Sequence, residues 1–176
     1  MSKNISNLSG RIGLKDNLFK QISENTLSDN PQDINEIAKK HNIKPQNIVV
    51  GEGIDGLLGY LVRMLVEPND NVVTTDGSYP TFNYHVNGYA GLLKKIPFKE
   101  DFEDLASLSS FSKKLRPKIV YVSNPNNPMG TFNKKTEIQA FINEVPDDTI
   151  ICLDEAYADF VPDDDLIDIN VNQENL

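Results

Sequence analysis

The chain has 176 residues and a formal net charge of −9, enough length for one domain with a substantial core. The acidity argues against a nucleic-acid or anionic-membrane surface. A single cysteine excludes a disulfide framework and fits a reducing, cytoplasmic setting. No run reaches the ~20 apolar residues of a membrane span.

In chain order, Ser2 to Ser9 is polar and shows no periodic pattern. Gln32 to His41 places Ile34, Ile37 and Ala38 at helical spacing, with Asp33 early and Lys39-Lys40 late to complement the helix dipole. Lys44-Pro45-Gln46 predicts a turn and Asn47-Ile48-Val49-Val50 a short strand. Gly51-Glu52-Gly53-Ile54-Asp55-Gly56 then opens a helix to about Val66, with Leu57, Leu58, Leu61, Val62 and Leu65 on its apolar face. Pro68-Asn69-Asp70 ends it.

Asn71 to Thr75 reads as the next strand, and Asp76-Gly77-Ser78-Tyr79-Pro80 as its turn. A helix is expected over Thr81 to Tyr89, a strand over Gly91 to Pro97, and a helical region over Phe102 to Leu115. Two apolar runs, Lys118 to Val122 and Thr149 to Leu153, flank a helical stretch from Thr136 to Ile142. That is a βαβ unit with Cys152 as a small buried hydrophobe. The tail after Phe160 is rich in Asp and Asn and has no clear pattern. Alternating strands and helices predict an α/β fold, a three-layer α/β/α mostly parallel sheet.

The glycine loop has two functional readings. Gly51-x-Gly53-x-x-Gly56, with Asp76 placed to bind a ribose, matches a dinucleotide fingerprint and would suit an oxidoreductase domain. The other reading needs only a phosphate, held by the unpaired N–H groups and dipole of a helix N-terminus. Asp55 is also a candidate helix cap, and a plain strand-to-helix turn is the bland reading.

The βαβ unit carries the stronger signal. Ser123-Asn124-Pro125-Asn126-Asn127-Pro128-Met129-Gly130 follows its first strand, and Asp154-Glu155-Ala156-Tyr157 ends its second. Ligands of open α/β sheets sit at that edge. An amide (Asn127), a carboxylate (Asp154) and a phenol (Tyr157) are thus expected to face one crevice. The bland alternatives are a turn closed by Asn127, a helix capped by Asp154 and a half-buried core tyrosine at Tyr157.

Taken together, these segments resemble the fold-type I, pyridoxal-phosphate-dependent aminotransferases of class I/II, in particular the histidinol-phosphate aminotransferase-like branch. The matching stretches are Lys44 to Gly53, Glu67-Pro68-Asn69-Asp70, Tyr79-Pro80-Thr81-Phe82, Ser123 to Gly130 and Leu153 to Tyr157, in the family's order. The resemblance implies pyridoxal 5'-phosphate as cofactor. It implies that the backbone of Ile54, Asp55 and Gly56 holds the phosphate and that Phe82 stacks on the pyridine. It also implies that Asn127 and Tyr157 bond the ring's phenolic oxygen and that Asp154 pairs with the ring nitrogen. A buried carboxylate there keeps that nitrogen protonated and makes the ring a better electron sink.

The resemblance further implies amino-group transfer from a donor such as glutamate to a 2-oxo acid or a phosphorylated ketone, in a homodimer. A decarboxylase of an amino acid phosphate on the same fold is the alternative. The family's Schiff-base lysine is expected beyond Tyr157, and no lysine occurs there. The chain therefore reads as the N-terminal part of an aminotransferase, inactive alone. Residues 1–30 are expected as an N-terminal arm and small-domain segment, and 31–176 as a partial cofactor-binding large domain. Lys15-Asp16-Asn17-Leu18 is the nearest counterpart of the family's N-terminal motif, and Asn30 stands where a cross-dimer tyrosine would.

Overall fold

A computed structural model describes residues 5–7 and 31–167. These residues form one parallel sheet of five strands: β1 (Ile5–Asn7), β2 (Asn71–Thr75), β3 (Leu92–Ile96), β4 (Ile119–Ser123) and β5 (Ile150–Asp154). The spatial order is β1-β5-β4-β2-β3. The helices are α1 (Pro31–His41), α2 (Gly53–Leu65), α3 (Pro80–Gly88), α4 (Leu105–Leu115) and α5 (Lys135–Glu144).

Strands β2, β4 and β5 are buried on both faces, as the centre of a parallel sheet requires, and the period of two sorts their side chains. Val72, Ile119, Tyr121 and Cys152 pack against Leu57, Leu58, Leu61 and Val62 of α2 and Phe82 and Val86 of α3. Val73, Val120, Val122, Ile151 and Leu153 pack against Leu105 and Leu108 of α4 and Ile138, Phe141 and Ile142 of α5. This is the expected three-layer arrangement. The chain leaves β2 for β3 on one side and later for β4 on the other, so the order reverses between β2 and β4. Such a switch point opens a crevice at the carboxyl ends of the strands.

Two local expectations are corrected. Ile48 and Val49 are buried, at 3% and 4% exposure, but Asn47–Val50 is not a strand. Pro45–Asn47 is a single 3₁₀ turn, Ile48 after it is extended, and residues 48–50 join no ladder. Apolar alternation reports burial and cannot report whether a neighbouring strand is present. Within the polar stretch Ser2–Ser9, Ile5–Asn7 instead pairs in register with Ile151–Leu153 of β5. An edge strand offers unpaired N–H and C=O groups, and pairing meets that need without any side-chain pattern. The rest of the expected N-terminal arm, including Lys15–Leu18 and Asn30, lies outside the described residues, as does the tail beyond Ile167.

Candidate functional site

Asp154 ends β5. Its parity is that of Cys152, so its side chain lies on the α2–α3 face, and it is 3% exposed. Tyr121, two residues before the end of β4, donates its phenol to Asp154 Oδ2 at 2.6 Å, and the Ala156 backbone N–H donates to Oδ1 at 3.0 Å. Burial raises the Asp154 carboxyl above its ordinary value, with those two hydrogen bonds opposing the shift. Burial, and then the charge of Asp154, push the Tyr121 phenol far upward, so it stays a protonated donor. Phe82 lies flat on Tyr121, with ring centroids 4.5 Å apart and planes 14° from parallel, and is fully buried.

The polar loop after β4 is held at several points. Ser123 is the register partner of Asp154, and the Asn124 N–H donates to the Asp154 carbonyl at 2.8 Å. The Asn124 amide bonds Asn133 in both directions, accepting from its N–H at 2.7 Å and donating to its carbonyl at 3.0 Å. The peptide bonds before Pro125 and Pro128 are cis. Asn126 is buried, accepts from the Met129 N–H and donates to the carboxylate of Glu103 at 2.8 Å. Glu103 is 3% exposed, and burial raises its pKa against the hydrogen bonds it accepts.

α2 packs on the sheet face that carries Asp154. Gly53 starts it with φ +80, and the N-cap Glu52 makes no side-chain capping bond. The first-turn N–H groups of such a helix have no intrahelical partner. Asp55 does not cap the helix as a simple turn would require. Its carboxylate instead accepts from the Tyr79 phenol at 2.8 Å. A Thr81 hydrogen bond lowers the Tyr79 pKa, but the Asp55 bond, burial and the charges of Asp55 and Asp154 together raise it. Tyr79 thus lies within electrostatic reach of both acids.

The structure therefore brings Asp154, Phe82 and, through Tyr79, Asp55 to one edge. Asn127 is half-buried, a few residues beyond the Ser123–Asp154 register pair. Tyr157 is 44% exposed and tilts against Phe160 at 6.3 Å, and no hydrogen bond links it to Asn127 or Asp154 among the described residues. Tyr121 and Glu103 do not stand out in the sequence. The first hides in an apolar run and the second in a stretch with no motif. The dinucleotide reading loses its structural frame, since no ladder strand precedes Gly51.

Comparison with known proteins identifies the family. The sequence profile of the aminotransferase class I and II family matches residues 19–174. Histidinol-phosphate aminotransferase 2 of Carboxydothermus hydrogenoformans is 36% identical over 124 residues, covering 70% of this chain and 34% of that protein. Histidinol-phosphate aminotransferase 2 of Haemophilus influenzae is 32% identical over 133 residues, covering 75% and 36%. The crystal structure of histidinol-phosphate aminotransferase from Sinorhizobium meliloti in complex with pyridoxal-5'-phosphate superposes with a TM-score of 0.79 at 35% identity, over 99% of this chain and 50% of that one. The chain spans about a third of the length of the curated relatives and half of that solved structure. It belongs to the class I and II aminotransferase family and has the large-domain fold of pyridoxal-phosphate-dependent transferases.

Proposed function

We propose that this chain supplies the cofactor-holding part of a pyridoxal-phosphate-dependent aminotransferase of the histidinol-phosphate type. The observation that carries the reading is Asp154. It is a buried carboxylate with two donors among the described residues, at the carboxyl edge of a parallel sheet, and burial makes its charge costly. A protonated pyridine nitrogen is the partner such a group lacks, and the bond is charge-assisted. The uncapped start of α2 fits a phosphate monoester, with Gly53 leaving its approach open.

Bound there, pyridoxal phosphate would supply the electron sink for an amino acid's α-carbon. The chain's own residues would hold and tune it. Asp154 accepts the ring N–H, with Tyr121 fixing the orientation of that carboxylate. Backbone groups of Ile54, Asp55 and Gly56 take the phosphate. Asn127 and Tyr157 are the proposed partners of the ring's phenolic oxygen, and Phe82 the proposed stacking ring. No lysine follows Lys135 in the sequence, so no group here is assigned the covalent and proton-shuttling role. The whole protein's reaction would be amino transfer between an amino acid and a phosphorylated ketone or 2-oxo acid.

Pyridoxamine 5'-phosphate tests this cleanly, because it cannot condense with surface lysines. A saturable change in its fluorescence on addition of the 176-residue chain, shifted to much higher concentration by Asp154→Ala, is expected. Binding of NADH with no response to pyridoxamine 5'-phosphate would overturn the reading. Turnover of an amino acid by this chain alone would show that one of its own residues fills the covalent role.

A further inference from the structure

We propose that Glu103 is a positioning residue, which replaces the missing β2–β4 ladder at the strand tips and so fixes the Asn126-Asn127 turn beside Asp154. The ladder between β2 and β4 pairs Val72 with Ile119 and Val73 with Val120, whereas β4 and β5 stay paired as far as Ser123 and Asp154. Past Val73 and Val120 the two central strands lose each other. The side chain of Glu103, from the segment just ahead of α4, fills that gap. Its Oε2 accepts from Thr75 Oγ1 at the end of β2. Its Oε1 accepts from the Ser123 N–H of β4 at 3.3 Å, from Ser78 Oγ at 3.4 Å and from Asn126 Nδ2 at 2.8 Å.

The arrangement is specific in what it joins. Four donors from β2, its following turn, β4 and the loop after it meet on one carboxylate, and none of them is charged. An apolar side chain would fill the space without the cost of burying a charge. It would also leave the Ser123 N–H unsatisfied and the Asn126 NH₂ with only its 3.2 Å bond to Ser78 Oγ. Asn126 is fixed at its other end as well, since its Oδ1 accepts from the Met129 N–H at 3.2 Å. With both ends of that amide held, the backbone direction entering Asn127 is set from the opposite face of the sheet. The charged and titratable groups near Glu103 are Tyr121, which feels its charge, and Lys99, Glu100, Asp104, Glu137 and Glu144. Those five line a cavity of about 480 Å³ that Glu103 also borders.

The positioning role rests on the cofactor reading above, so its test has one readout with the ligand and one without. Glu103→Leu and Glu103→Gln are compared with the unmodified chain. The Gln variant keeps the clamp: its carbonyl oxygen takes the three donors of Oε1, and its NH₂ faces Thr75 Oγ1, which turns to accept. Pyridoxamine 5'-phosphate affinity should fall about tenfold in Glu103→Leu and return to within about twofold in Glu103→Gln. Both are measured at a temperature where each variant is fully folded.

Without ligand, the side-chain NH₂ resonances of Asn126 should shift as Glu103 titrates in the unmodified chain, and lose that titration in Glu103→Gln. A Glu103→Leu variant that only melts earlier, with affinity unchanged, overturns the proposal. If Glu103→Leu does not fold, Asn126 resonances that ignore pH overturn it equally. Titrating Asn126 resonances in a chain that binds no pyridoxamine 5'-phosphate would sink the cofactor reading and leave the clamp standing.

Discussion

Asp154 and Glu103 are both acids at the carboxyl edge of the sheet, both nearly inaccessible, and both held above their ordinary pKa mainly by burial. They differ in what surrounds them. Asp154 lies on the α2–α3 face and takes one donor from Tyr121 and one from the backbone just beyond it. Glu103 meets Thr75, whose parity is that of Val73 on the α4–α5 face, and takes donors from four residues of four segments. A carboxylate offers about four acceptor sites. Glu103 has spent them on the chain, while Asp154 keeps capacity for something that is not the chain. Counting donors on buried acids thus separates an acid that builds the edge from one that the edge presents.

The sharpest way to break this comparison is to remove the charge at Asp154. Asp154→Ala should weaken pyridoxamine 5'-phosphate binding by roughly 10- to 100-fold, since a charge-assisted bond contributes about 1.5–3 kcal/mol. Asp154→Asn keeps the shape but not the charge, and should lose most of the same affinity. Full affinity in Asp154→Asn would mean that the two acids are equivalent fillers. Tyr121→Phe comes next. It keeps the stack on Phe82 and deletes the donor to Asp154, so urea denaturation should show a loss of about 1.5–3 kcal/mol.

Acidity should separate the two acids further. For a carboxyl whose native pKa is raised, the stability it contributes is complete below the ordinary value, 3.8 for Asp154 and 4.5 for Glu103. That stability is lost as pH rises through the raised native value. Glu103→Gln and Asp154→Asn should therefore gain stability relative to the unmodified chain as urea melts move from about pH 4 to pH 7. The opposite slope would contradict both shifts. Saturating pyridoxamine 5'-phosphate should flatten the Asp154 part, by supplying a cation, and leave the Glu103 part in place.

Much of this was legible in the residues. The pattern Leu57, Leu58, Leu61, Val62 specifies the buried stripe of α2, and the two apolar runs of the βαβ unit specify β4 and β5 to within a residue. Asp154 could be placed because a polar residue closing an apolar strand must lie at the sheet's edge. Glu103 could not. It follows Phe102 where the helical region was expected to begin, although α4 starts only at Leu105, and its partners are 20 to 28 residues away in sequence. Tyr121 was hidden differently: a tyrosine inside Ile-Val-Tyr-Val reads as apolar filling, and only β4–β5 register brings its phenol to Asp154. The strand expected at Asn47–Val50 failed for the same reason, since pairing is a property of the neighbour.

The smallest effect asks where the position of Glu103 comes from. Asp104 is the N-cap of α4, accepting from the Ser107 N–H at 3.0 Å and from the Ser107 hydroxyl at 2.7 Å. Asp104→Ala removes that cap and should lower stability by about 1 kcal/mol in urea denaturation. If the clamp is fixed by its own four donors, pyridoxamine 5'-phosphate affinity should stay within about twofold, because fraying one turn of α4 does not move Thr75, Ser123 or Asn126. A parallel loss of affinity would place the origin of the clamp in the helix start, making Glu103 and Asp104 one unit and α4 part of the site.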